Sequence, residues 1–121
     1  MASIKCIIHL VFVCFFCAGF AQNTVIYSSD DVKYQSALAL YNAQQYESAQ
    51  LLFKSVASNA SDQLLESNAA YYNANCAVRL NQPNAEQLVE SFVAGYPSSV
   101  KRNSAFFEVA TYYFENAKYS Y

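Results

Sequence analysis

Apolar residues recur along this chain at the three- and four-residue spacing that marks one face of a helix. Ala49, Leu52, Phe53 and Val56 form the clearest such stripe. No stretch of strand length alternates between apolar and polar side chains, the pattern that a half-buried strand requires. The pattern predicts an all-α protein, with its first four helices at about residues 30–43, 46–58, 64–80 and 83–94.

The predicted N-terminal ends of the helices carry residues that favour the start of a helix. Asp30 and Asp31 stand at the start of the first helix, where the helix dipole favours negative charge. Pro83 is predicted in the first turn of the fourth helix, where its missing N–H is tolerated. Ser98 or Ser99 is expected to cap a fifth helix that runs to about residue 115.

Small residues recur along the chain with a period near 36. Ala37, Ala74 and Ala110 are separated by 37 and 36 residues, and Ala49 and Ala85 are 36 apart. Two helices approach closely only where both present small side chains, while bulkier residues nearby fill the space to the next pair. The period therefore predicts antiparallel helix-turn-helix units stacked in sequence, which is an α-solenoid.

At these positions the sequence resembles the tetratricopeptide repeat (TPR) family. The resemblance implies about two and a half units, at residues 30–61, 64–97 and an incomplete 102–121. The second unit is one residue shorter at the turn 81–83, and Ser61 stands where the family prefers proline. An ordinary alanine-rich helical bundle is the alternative. The residues at signature places are Ala37, Tyr46, Ala49, Phe53, Val56, Ala74, Ala85, Phe92, Pro97, Ala110 and Tyr119.

The first 21 residues have the features of a secretory signal peptide. Lys5 gives a basic start, an apolar run covers residues 7–20, and Gly19 and Ala21 provide a small-residue cleavage site. The 14 residues of the apolar run span about 21 Å, short of the roughly 30 Å core of a bilayer. We therefore expect export to the periplasm or outer membrane, with cleavage after Ala21 and a polar lead-in at residues 22–29. The phrase at residues 92–99 resembles repeats of Gram-negative envelope proteins, which agrees with export.

The composition of the exported part argues against several classes of function. Residues 22–121 carry six basic and nine acidic side chains, a net charge of −3, which is no footprint for nucleic acid. They contain no histidine, so neither a Ser–His nor a Cys–His pair can form, and zinc lacks its usual ligands. Cys76 is their one cysteine and is expected in the core. We expect no enzyme, no metal site and no cofactor.

The resemblance also places a set of residues on the concave groove through which family members bind their partners. Tyr34, Tyr71 and Phe107 would form an aromatic row there, suited to peptide binding. In the alternative, about half of these rings pack between helices. The full set is Tyr34, Leu38, Tyr41, Asn42, Tyr71, Asn75, Val78, Arg79, Phe107, Thr111, Phe114 and Glu115.

These expectations favour a non-catalytic exported scaffold that binds a protein or peptide in the cell envelope. The alternative is a glycan-binding component of an outer-membrane uptake system, although those proteins usually carry a lipid-anchored cysteine where this chain has Gln22. A purely structural segment of a large envelope protein is a third possibility. Phe106, Val109 and Tyr113 give the fifth helix an apolar face without a partner. We therefore expect a longer array, of which this is the N-terminal part, or another molecule covering that helix.

Overall fold

A computed structural model describes residues 27–115 of the chain. These residues form helices and turns and contain no strand, so the all-α class is confirmed for this part. The signal peptide, most of the lead-in and Tyr119 lie outside the described residues. The helices are α1 Ser29–Asn42, α2 Tyr46–Asn59, α3 Gln63–Arg79, α4 Ala85–Gly95 and α5 Arg102–Glu115.

Side-chain caps fix the starts of the first and third helices. The Asp31 backbone N–H donates to Ser28 Oγ at 3.1 Å, and the Ser28 N–H donates to the Asp31 carboxylate at 3.0 Å. This reciprocal capping box satisfies two backbone donors that the helix itself cannot pair. Asp62 caps the third helix with a single bond, because its side chain accepts from the Leu64 N–H at 2.9 Å.

The turns that end α1 and α3 have the same geometry 37 residues apart. Gln44 and Asn81 adopt the left-handed conformation, with φ of 61° and 54°. In each turn this residue donates its N–H to the carbonyl three residues earlier, and the next N–H donates to the carbonyl five residues earlier, at 2.9 to 3.0 Å. This pair of bonds is a Schellman motif, which ends a helix and reverses the chain.

The buried faces of α2 and α4 match at a spacing of 36 residues rather than 37. The one-residue difference therefore lies in the turn after α3, as the sequence predicts. Pro83 lies in this turn, two residues before α4, and not in the first helical turn where we predict it. The Ala85 N–H donates to the Gln82 carbonyl at 3.1 Å, so a tight turn occupies these positions. The matching buried pairs are Ala49 with Ala85, Phe53 with Val89, and Val56 with Phe92.

The helices pack in two layers. Each helix contacts the next one along the chain, and α1 contacts α3, which in turn contacts α5. No comparable contact joins α2 to α4. The first helix of each pair is therefore closer to its equivalents than the second, which puts α1, α3 and α5 on the inside of the stack. This arrangement is consistent with an α-solenoid.

Two apolar clusters form the core, one on each side of α3. The first lies between α1, α2 and α3, where the Phe53 and Tyr72 rings stack with centroids 5.0 Å apart. The second lies between α3, α4 and α5 and contains Tyr71 and Phe92. Cys76 is fully buried in the first cluster, which confirms its predicted place, and burial raises the pKa of its thiol to about 12. A thiol in this environment is an apolar packing group.

The fifth helix begins later than the sequence predicts. The Lys101 N–H donates to Ser99 Oγ at 3.3 Å, and one further turn precedes the start of α5 at Arg102. Val109 packs on the second core cluster, whereas Phe107 is 73% exposed. We expect the exposed apolar face of α5 to include Val109. In the structure that face includes Phe107 instead.

Candidate binding surface on the first helices

The predicted groove residues divide into three groups by exposure. Tyr34, Tyr71, Asn75 and Val78 are buried. Leu38, Tyr41 and Thr111 are half-buried. Asn42, Arg79, Phe107 and Phe114 are exposed, and the side chain of Glu115 lies outside what the structure describes. We call the solvent-facing side of α1, α3 and α5 around Leu38, Tyr41, Asn42, Asn75, Arg79, Glu108 and Thr111 the inner surface.

Tyr34 lies in the first core cluster. Its ring meets Phe53 edge-on at a centroid distance of 5.7 Å and Tyr72 at 6.3 Å. Burial raises the pKa of its hydroxyl to about 12, with a smaller contribution from Tyr72. The ring therefore packs between helices, which is the alternative that the sequence leaves open.

Tyr71 occupies the equivalent place in the second cluster. Its ring meets Phe92 at 5.5 Å, and the Lys101 ammonium lies 4.9 Å from its centroid. Burial raises the pKa of Tyr71, and the nearby Glu108 carboxylate adds to the shift. Of the three rings in the predicted aromatic row, only Phe107 is exposed.

A line of polar side chains joins the three inner helices. The Tyr41 hydroxyl on α1 donates to Asn75 Oδ1 on α3 at 3.2 Å, and Asn75 Nδ2 donates to Glu108 Oε2 on α5. Asn75 is 6% exposed, so water has little access to its amide. The line fixes the separation of the helices, because a buried amide that loses its partners is costly.

Sequence reasoning missed Glu108. Its signal was present but weak, because it is an acidic residue placed between the large apolar residues Phe107 and Val109. A carboxylate in such a position needs a donor from a neighbouring element, and Asn75 supplies one across the helix interface.

Arg79 forms the cationic part of the inner surface. Its guanidinium carbon lies 5.5 Å above the centroid of the Tyr112 ring, and the Tyr112 hydroxyl donates to the Arg79 carbonyl at 3.1 Å. Within residues 27–115 the ion pair in salt-bridge range is that of Lys33 with Asp30, so Arg79 has no carboxylate partner there. A cavity of about 110 Å³ adjoins Arg79, between it and the α5 residues Phe107, Glu108, Thr111 and Tyr112.

The inner surface carries groups that can form hydrogen bonds. It offers the Arg79 guanidinium, the exposed Asn42 amide and the Thr111 hydroxyl, and the exposed Phe107 ring lies beside it. Among the described residues no three His, Cys, Asp or Glu side chains gather in a way that would hold a metal ion. None of the helices from α1 to α5 has the length and apolar character needed to cross a bilayer.

Among residues 27–115, two larger concavities lie away from the inner surface. One, of about 430 Å³, lies between α3 and α4, and at its edge the Tyr96 hydroxyl donates to Glu66 at 2.7 Å. The other, of about 510 Å³, lies between the start of α3 and the loop before α5, where Leu64 and Val100 are exposed. The Tyr96 and Glu66 groups at the edge of the first cavity are therefore already paired within the chain.

No protein-family model, curated protein or solved structure matches this chain.

Proposed function

We propose that this protein is a non-catalytic, exported scaffold of the tetratricopeptide type that binds a protein or peptide segment of the cell envelope along its inner surface. The equivalent turns at Gln44 and Asn81 and the matching buried faces of α2 and α4 support the repeat assignment. The apolar leader of the sequence supports export.

The observation that carries the proposal is the line from Tyr41 through Asn75 to Glu108. It holds three helices at fixed distances and leaves the exposed Asn42 and Arg79 beside it. A surface whose polar groups are already held in place loses little entropy when a ligand binds. Amide and guanidinium groups also match the carbonyl oxygens of an extended peptide, which need donors.

The test is a screen of the processed chain against a displayed library of random peptides, followed by affinity measurements on the peptides selected. Arg79→Ala and Asn42→Ala should each weaken binding by about tenfold, which corresponds to about 1.4 kcal/mol. Lys54→Ala and Gln87→Ala are matched controls, because these exposed residues lie on the outer helices α2 and α4. Equal losses in the control variants, or no selected peptide at all, contradict the proposal.

Glycan binding is the alternative, and a glycan array probed with the same protein separates the two. Phe107 is the exposed ring beside the Arg79 cavity on which a sugar would stack. Sugar binding that Phe107→Ala abolishes, without any selected peptide, would replace the peptide proposal by the glycan one.

A further inference from the structure

The face of α5 that packs on α3 and α4 repeats, 36 residues later, the face of α3 that packs on α1 and α2. Ala69 is fully buried in the first core cluster, and Ala105 is 4% exposed in the second. Small residues at equivalent buried positions allow the same close approach of helices. The two faces can therefore be compared position by position.

The two faces differ in charge. On α3 none of the four positions carries a charge, and Leu65 at its start is 9% exposed within the first cluster. On the later face Lys101, in the turn that leads into α5, and Glu108 are charged and half-buried. The equivalent pairs are Leu65 and Lys101, Ala69 and Ala105, Tyr72 and Glu108, and Cys76 and Tyr112.

Contacts from α3 hold both charges in place. The Lys101 ammonium lies 4.9 Å from the centroid of the Tyr71 ring and 5.1 Å from that of Tyr72. Glu108 Oε2 accepts from Asn75 Nδ2. These contacts fix the position of α5 on α3. An ammonium and a carboxylate are well hydrated in water, however, so separating the helices costs less free energy here than exposing the apolar side chains of the earlier face.

The apolar part of the interface formed by α5 is small. Among the described residues of α5, Ala105 is the one that is buried, while Val109 and Tyr112 are half-buried against the second cluster. The neighbouring α4 buries the larger Val89 and Phe92 in the same cluster. A helix that buries little apolar area opens at a lower free energy than the elements around it.

We propose that α5 opens from α3 and α4 as a unit while α1 to α4 stay folded, with a hinge at residues 97–100. Tyr96, just before the hinge, is tied to α3 by its bond to Glu66 at 2.7 Å, and Val100 within it is 88% exposed. An exposed loop next to a fixed residue can absorb the change in backbone dihedral angles.

The closed state predominates and contains the complete inner surface. Opening breaks the bond between Asn75 and Glu108 and removes the Lys101 ammonium from the two tyrosine rings. The line from Tyr41 to Glu108 is therefore intact only while α5 is closed. The two charged residues determine how often the third helix of the inner surface is in place.

Amide hydrogen exchange of the chain expressed from its full sequence and purified after export tests the opening. The probes are the backbone amides of residues 105–109 on α5 and of residues 69–73 at the equivalent positions on α3. The α5 amides should be protected at least about tenfold less than the α3 amides, and low urea concentrations should affect their exchange less, because a local opening exposes less surface than global unfolding. Equal protection and equal urea dependence in the two helices would show that α5 opens only with the whole protein, which overturns the proposal.

Lys101→Leu tests the cause of the opening. It places the α3 residue at the equivalent position of the later face, and the protection of the α5 amides should rise about fivefold, because a buried leucine stabilises the closed state more than a cation over a ring. Lys54→Leu is the matched control, because Lys54 is an exposed lysine on α2. The control should leave exchange in α5 unchanged. No gain in protection in Lys101→Leu, or the same gain in the control, overturns the proposal.

Discussion

Replacing Asn75 by alanine removes both hydrogen bonds of the line that joins the inner helices. The bond from the Tyr41 hydroxyl is neutral and contributes about 1 kcal/mol, whereas the bond to the Glu108 carboxylate involves a charged acceptor and contributes about 1.5–3 kcal/mol. Asn75 is 6% exposed, so water cannot easily restore these bonds around a smaller side chain. We therefore expect Asn75→Ala to lower the free energy of unfolding by about 2–4 kcal/mol.

Urea unfolding followed by circular dichroism at 222 nm measures this change. Asn73→Ala is the matched control, because Asn73 is half-buried on the same helix and makes no side-chain hydrogen bond among the described residues. The control should stay within about 0.5 kcal/mol of the wild type. A double-mutant cycle with Glu108→Ala should show a coupling energy of about 1 kcal/mol or more, because the two residues share a bond.

An unchanged urea midpoint for Asn75→Ala would refute the reasoning. It would mean that the amide is not held between the helices and is instead free on the surface, where its loss would weaken ligand binding without affecting stability. A large loss of stability with no coupling to Glu108 would also contradict the assigned bond.

Three further predictions concern the core. Ala49→Leu should lower the free energy of unfolding in urea by about 1–3 kcal/mol, because no space remains where Ala49 crosses Ala37. Ser48→Leu, on the exposed side of α2, should change this free energy little, and equal effects of the two variants would place the crossing elsewhere. Burial raises the pKa of Tyr34 from 10.0 to about 12, so the stability that this protonated hydroxyl contributes is intact below pH 10 and is lost as the pH rises toward 12. The free energy of unfolding should thus fall more steeply over that range in the wild type than in Tyr34→Phe, and identical slopes would count against a buried hydroxyl. Cys76, fully buried and with a pKa of about 12, should react with a thiol reagent only on unfolding; rapid labelling of the native protein would show that it is accessible.

The spacing of small residues predicted where helices cross, but it could not decide which aromatic residues are buried. Ala37 and Ala74 are buried as their period predicts, because a small side chain fits only at a close approach, whereas Ala110, the third residue of the same period, is exposed. Tyr34 and Tyr71 lie one turn earlier on the same helices, near the border between the inner surface and the neighbouring helix. A tyrosine suits either environment, so the rotation of the helix in the packed stack decides its burial.

Contacts between distant parts of the chain were beyond the reach of periodicity for a different reason. Tyr41, Asn75 and Glu108 differ in residue type and are 34 and 33 residues apart, so they do not fall on the 36- or 37-residue period. Pro83 illustrates a local limit: proline is compatible both with a first helical turn and with the turn before it. The backbone bond between Ala85 and Gln82 selects the second.

The equivalence of the turns at Gln44 and Asn81 has a consequence for the gene. A recombination that joined Gln44 directly to Gln82 would delete the 37 residues between them, and the chain would pass from α1 into α4 through a turn of the same conformation. The reverse event would insert a helical unit without disturbing the packing faces on either side. Unequal crossing-over at these turns would therefore give arrays of different length. In each inserted unit the buried alanines would fall at the same positions as in the neighbouring units.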